Sequence, residues 1–148
     1  MSNSVELHRV IKAPVGKVFK AFSDPMAKAT WIPPFGFLCK VHNMDFKVGG
    51  GYKMSFINFT TGGSHSFFGT FIEIQPNKLI RCTDQFEDPN LPGEIIVTIQ
   101  FREVMCGTEL RIKQENLPAV IPVEMCYLGW QESLIKLAQL VEPNIPEG

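Results

Sequence analysis

Apolar and polar residues alternate from Glu94 to Arg102. Ile95, Val97, Ile99 and Phe101 fall on one side, and Thr98, Gln100 and Arg102 on the other. A period of two is the signature of a half-buried strand. The same phase recurs in Val5–Lys12, where Val5, Leu7, Arg9 and Ile11 share a side, and in Tyr52–Phe59, where Tyr52, Met54 and Phe56 do. Further strands are predicted over Phe37–Phe46, His65–Gln75, Leu79–Gln85 and Thr108–Glu115, the last with Leu110 and Ile112 inward. Glycine, proline and asparagine punctuate them: Gly49-Gly50-Gly51, Thr60–Ser64, Pro76-Asn77, the acidic Glu87–Gly93 loop and Met105–Gly107. Short connections predict an antiparallel meander of neighbouring strands.

The period changes in three places. After Pro14, Val15, Val18, Phe19 and Phe22 recur at helical spacing, and proline is tolerated in a first turn because its missing N–H has no partner there. Ser23-Asp24-Pro25 stops that helix and caps a second short one running to Ala29 or Thr30, which Trp31-Ile32-Pro33-Pro34 ends. The third helix fills Pro118–Val141, regular from near Pro122. Cys126, Trp130, Ser133, Leu134, Leu137 and Val141 share one face, with Glu124, Gln131, Glu132, Lys136 and Gln139 on the other. That face must be buried, and the only large partner is the sheet. A long helix over an incompletely filled sheet leaves a cavity. Gly129 inside this helix costs about 1 kcal/mol relative to alanine; it serves either a tight crossing over a strand or room for a guest. Val141–Gly148 is a polar, proline-broken tail expected to fray.

The 148 residues suit a single domain spanning 1–148. A net charge of -1 with no Lys/Arg run gives no electrostatic reason to bind nucleic acid. No apolar run approaches the roughly eighteen residues of a membrane helix. The Met-Ser-Asn-Ser start has no cationic or apolar stretch, so a cytoplasmic location is expected. Cys39, Cys82, Cys106 and Cys126 form no CxxC pair and there are three histidines, which argues against a zinc site and for four free thiols, mostly core or semi-buried; no metal or cofactor is expected.

A set of short motifs runs in order through nearly the whole chain. Ala13-Pro14 with Val18-Phe19 comes first, then Phe22-Ser23-Asp24-Pro25 and Trp31. Phe46–Gly50 with Tyr52 follows, then Phe68-Gly69-Thr70-Phe71 before Ile74 and Pro76. Gly107-Thr108 with Leu110 and Gly129-Trp130-Ser133-Leu134-Leu137 complete it. In these the chain resembles the START-like (SRPBCC) helix-grip superfamily. More narrowly it is similar to bacterial proteins related to the C-terminal domain of the activator of the Hsp90 ATPase. The resemblance implies an α+β fold: a curved antiparallel sheet of six to seven strands, two short helices after the first strand, and a long C-terminal helix across an internal apolar cavity. It fixes no activity, since relatives include lipid and polyketide binders, receptors, cyclases, hydrolases and co-chaperone domains. Where relatives often carry a second tryptophan after the one matching Trp31, this chain has Ile32, followed by the stiff Pro33-Pro34.

The cavity-lining candidates are Trp31, Phe35, Phe37, Met54, Phe56, Phe71, Met125 and Trp130. Aromatics supply contact area and methionine adapts to irregular guests. Each of these could equally fill the core, and a strand bulge would exchange Phe56 for Ile57. Polar candidates are His42, His65, Tyr52, Asp84, Arg81, Glu94 and Tyr127. Catalytic patterns are weak. Ser64 and Ser66 flank His65 without a G-x-S-x-G elbow, Glu87 and Asp88 are neighbours in a solvated loop, and Gly49–Gly51 precedes a strand, not the helix a phosphate loop needs. No catalytic residue is assigned. The expected function is binding of a small apolar or amphipathic molecule. The alternatives are a low-signature cyclase or hydrolase, marked by a cavity-facing histidine or carboxylate of perturbed pKa, and a chaperone-associated interaction module, marked by an exposed apolar patch without a void. A homodimer is compatible with all three.

Overall fold

In the computed structural model, which describes residues 3–147, seven strands pair into one curved antiparallel sheet. They are β1 (Asn3–Ile11), β2 (Phe37–Met44), β3 (Gly51–Asn58), β4 (Ser64–Gln75), β5 (Leu79–Phe86), β6 (Ile95–Val104) and β7 (Gly107–Leu117). The helices are α1 (Val15–Ser23), α2 (Pro25–Trp31) and α3 (Val123–Val141). The expected α+β helix-grip arrangement is what forms, with α3 packed across the sheet.

The meander runs only from β2 to β7. The sheet order is β1-β7-β6-β5-β4-β3-β2, so β1 pairs with the last strand, Leu7 opposite Ile112 and Ile11 opposite Thr108. Alternation assigns a strand's faces but not its neighbour, and here α1 and α2 carry the chain from one sheet edge to the other. Asp24 ends α1 and caps α2, its carboxylate accepting from the Met26 and Ala27 N–H groups at 2.9 and 3.1 Å.

The third helix starts at Val123, not Pro118. Pro118–Pro122 instead make a turn closed by the Ile121 N–H on the Pro118 carbonyl at 3.0 Å. Its buried face is Ser133, Leu134, Leu137 and Val141. The outer face is less polar than the pattern suggested, because Leu128, Ile135 and Leu140 are exposed while Lys136 and Glu132 are half-buried. After α3 the tail is tied down at its start. The Lys12 N–H donates to the Glu142 carboxylate at 2.9 Å, and Lys17 Nζ to the Pro143 carbonyl at 2.9 Å. Met1, Ser2 and Gly148, included in the expected single domain and (for Gly148) in the frayed tail, lie outside the described residues.

Aromatic rings fill the space under α1 and α2 as a continuous chain. Trp31 meets Phe22 at 4.6 Å between ring centres, Phe22 meets Phe101 at 5.1 Å, and Phe101 meets Phe19 at 5.2 Å. Phe46 follows at 5.8 Å, then Phe71 at 4.9 Å and Tyr52 at 5.1 Å. Edge-to-face contacts of this kind add to burial. With one part of the concave face occupied by these rings, the part beneath the first half of α3 is left open.

Candidate ligand-binding cavity

A cavity of about 210 Å³ lies between the sheet and α3. One ordered water needs only about 10–15 Å³, and an apolar cavity of about 150 Å³ takes up benzene. Its floor follows from strand phase. Met54 and Phe56 come from β3, Phe67 from β4, Cys82 and Phe86 from β5, and Ile95, Val97 and Ile99 from β6. Cys126, Gly129, Trp130 and Ser133 of α3 roof it, and Phe22, Lys28, Ile32 and Pro34 close the side.

Of the eight candidate lining residues, Met54, Phe56 and Trp130 line this cavity. The other five do not. Trp31 is fully buried in the aromatic core, with its Nε1–H donating to the Ala21 carbonyl at 2.8 Å. Phe71 is buried between Phe46 and Tyr52. Phe37 begins edge strand β2, half-buried and outside the lining. Phe35, just beyond Pro33-Pro34, is 50% exposed, and Met125 in the first turn of α3 is 65% exposed.

Gly129 has an open surround. A Cβ added there would find no neighbour within 4 Å beyond its own turn of helix. A tight crossing is therefore not its role, and of the two reasons for a mid-helix glycine, room beneath the helix remains.

Polar contacts fix the roof and mouth. Trp130 Nε1–H donates to Gln114 Oε1 at 3.1 Å. The Ser133 hydroxyl lies 2.6 Å from the Ile32 carbonyl and 2.9 Å from that of Gly129. Lys136 Nζ donates to the Pro33 carbonyl at 2.9 Å, and the Phe35 N–H to Glu132 Oε1 at 3.3 Å. Two side chains assigned from sequence to the solvated face of α3 thus stitch the proline loop to the helix. Burial lowers the Lys136 pKa and raises that of Cys39 to about 11.

A second polar group faces the guest space. Tyr52 lies across Gly69 of β4, and its hydroxyl donates to the Thr83 carbonyl and also meets the Asp84 carboxyl. One phenolic proton serves one acceptor at a time. Burial raises Asp84 from 3.8 to about 6, with the Tyr52 hydrogen bond and the Lys28 charge pulling the other way. Burial likewise raises Tyr52 well above its ordinary value and Cys82 to about 12. Lys28, from α2, is only 8% exposed and lines the same cavity, its Nζ 5.6 Å from the centre of the Tyr52 ring. Lys28 carried no signal in the sequence. Asp84 did, since it shares its strand phase with Cys82 and Phe86.

The other polar candidates lie elsewhere, apart from His65, which is exposed at the cavity's rim. His42 Nε2 is 2.6 Å from Ser55 Oγ, which is 2.6 Å from Ser66 Oγ. Ser55 and Ser66 alternate with the lining residues of β3 and β4, and His42 is on β2, which contributes nothing to the lining. Arg81 pairs with Glu73 at 3.7 Å, and Glu87 with Lys53 at 3.2 Å, all on the surface. Glu94 and Tyr127 are exposed outside the lining.

The family model described as "Activator of Hsp90 ATPase homolog 1-like protein" matches residues 12–142. The chain belongs to that family. A crystal structure of a Chromobacterium violaceum protein is similar to this Activator of Hsp90 ATPase homolog 1-like chain, with 51% identity and a TM-score of 0.95 over 96% of this chain and 99% of that one. Structures from Nitrosomonas europaea (20% identity, TM-score 0.79, 93% of each chain) and Staphylococcus epidermidis (17% identity, TM-score 0.80, 99% of this chain and 93% of that one) share the fold. No curated protein matches. No helix among the described residues of this family member is long and apolar enough to cross a membrane.

Proposed function

We propose that the protein binds a small amphipathic molecule in the cavity beneath α3. The observation that carries this reading is the void itself. About 210 Å³ is left between Met54, Phe56 and Phe67 on the sheet and Trp130 on the helix, with Gly129 above it leaving space that an ordinary helix residue would take. Apolar walls supply affinity at about 25 cal/mol per Å² buried, less the cost of immobilising the guest. Lys28, Asp84 and Gln114 are the polar groups that orient it. Native mass spectrometry of freshly purified protein, followed by extraction, tests the reading. A stoichiometric small molecule, or saturable uptake of an added apolar probe that quenches Trp130, supports it. Absence of both overturns it.

A second reading is favoured by one observation. Asp84, a carboxyl held near 6 and in contact with Tyr52, faces the space where a substrate would sit. That pair can take and return a proton near neutrality, as a hydrolase- or cyclase-like enzyme on a hydrophobic substrate requires. Activity screening of the wild type beside Asp84→Asn and Tyr52→Phe tests it. Turnover that survives both variants removes the assignment.

A further inference from the structure

We infer that the guest carries a single carboxylate, which pairs with Lys28; this rests on the cavity-binding reading. Lys28 is the only lysine or arginine lining the cavity among the described residues. It is more than nine-tenths buried, yet among the described residues it makes no hydrogen bond and no carboxylate lies within ion-pair distance of its Nζ. Its polar surroundings are the Tyr52 ring face, at 5.6 Å, and the charge of Asp84 beyond ion-pair distance. Among the described residues Asp84 is the only carboxylate in the lining, and its Oδ1 meets the Tyr52 hydroxyl. The stem of Lys28 is packed away while its ammonium stays accessible from the open cavity with no fixed acceptor, so the acceptor is left for the guest to bring.

The charge count narrows the class. One cation faces one carboxyl that already contributes negative charge when ionised, so a dianionic head such as a phosphate would meet repulsion from Asp84 that a monoanion meets only in part. A charged acceptor also pairs with an ammonium more strongly than a neutral one. The apolar floor of Met54, Phe56, Phe67 and Ile95 takes the remainder of the molecule.

The test compares octanoate with 1-octanol, which share a chain length and differ in charge, by isothermal titration calorimetry at neutral pH on the wild type and on Lys28→Met. Methionine keeps the unbranched stem and helix preference of lysine without the charge. Octanoate is expected to bind the wild type about tenfold or more tighter than octanol, and to lose that advantage in Lys28→Met, where octanol still binds. Retained octanol binding shows that the variant's cavity is still folded. Octanol binding the wild type as well as octanoate does, or a carboxylate preference that persists in Lys28→Met, overturns the carboxylate assignment and leaves cavity binding standing. If neither probe binds the wild type, both readings fall.

Discussion

The Tyr52 hydroxyl on β3 reaches past the intervening strand to the Asp84 carboxyl on β5. This contact places a titratable carboxyl in a largely apolar cavity, and its consequence is a stability term with a definite sign. Asp84 has a folded-state pKa of about 6 against an ordinary 3.8. Between those values the native protein holds more protons than the unfolded chain, so stability falls as pH rises through this window. The gap corresponds to about 2–3 kcal/mol, fully present below about pH 4 and lost above about pH 6. Asp84→Asn cannot ionise and should lack this loss. Denaturant unfolding of both proteins across pH 4 to 8 checks it: equal slopes would remove the shifted carboxyl.

Gly69 makes the Tyr52 contact possible. A Cβ at that position would collide with the Thr83 carbonyl and come within 2.7 Å of the Tyr52 hydroxyl. The first obstacle is backbone, which cannot rotate away. Gly69→Ala should therefore destabilise by about 1–3 kcal/mol, the cost of overpacking, although alanine suits a strand better than glycine does. A melting temperature equal to that of the wild type would show that β4 and β5 can separate there without cost.

Gly129 should respond in the opposite way. With nothing near its absent side chain, Gly129→Ala is expected to stabilise by about 1 kcal/mol, the helix-propensity difference. A larger residue there should occupy the guest space, so Gly129→Leu is expected to remain folded and lose octanol binding. Thermal unfolding and probe titration read the two effects separately. Destabilisation by alanine would mean that α3 crosses the sheet more tightly than described.

The sequence was most legible where local chemistry decides the outcome. Ile95, Val97, Ile99 and Phe101 all turn inward as their alternation predicts, because only one face of β6 meets the core. Asp24 caps α2 because an aspartate followed by proline has few other conformations to offer. What could not be read depends on tertiary distance. Nothing in Val5–Ile11 says that its partner is β7 rather than β2, since the same alternation suits either edge. Lys28 looks like any polar residue of a short helix, and only tertiary packing, with α2 against α1, β2 and α3 and the lysine over Tyr52, buries it. Phe35 and Met125 are apolar enough for a pocket, but the turn after Pro33-Pro34 and the outer side of the first turn of α3 leave them in solvent.

Trp31 and Trp130 show the same division and allow it to be measured. In sequence Trp31 opens the stretch that ends the second short helix and Trp130 lies inside the third, and both are candidates for the cavity. In the fold, Trp31 packs on Phe22 at 4.6 Å with its N–H on the Ala21 carbonyl, whereas Trp130 is half-buried over the void with its N–H on Gln114. Trp31→Ala should cost about 3–5 kcal/mol as a core deletion. Trp130→Ala leaves one side of its space already empty, so it should cost less while changing probe affinity. Because the two rings sit in different surroundings, fluorescence distinguishes them: in Trp31→Phe the remaining emission from Trp130 should shift as octanol is added, and in Trp130→Phe the emission from Trp31 should not. A ligand response that follows Trp31 instead would place the guest in the aromatic core and not beneath α3.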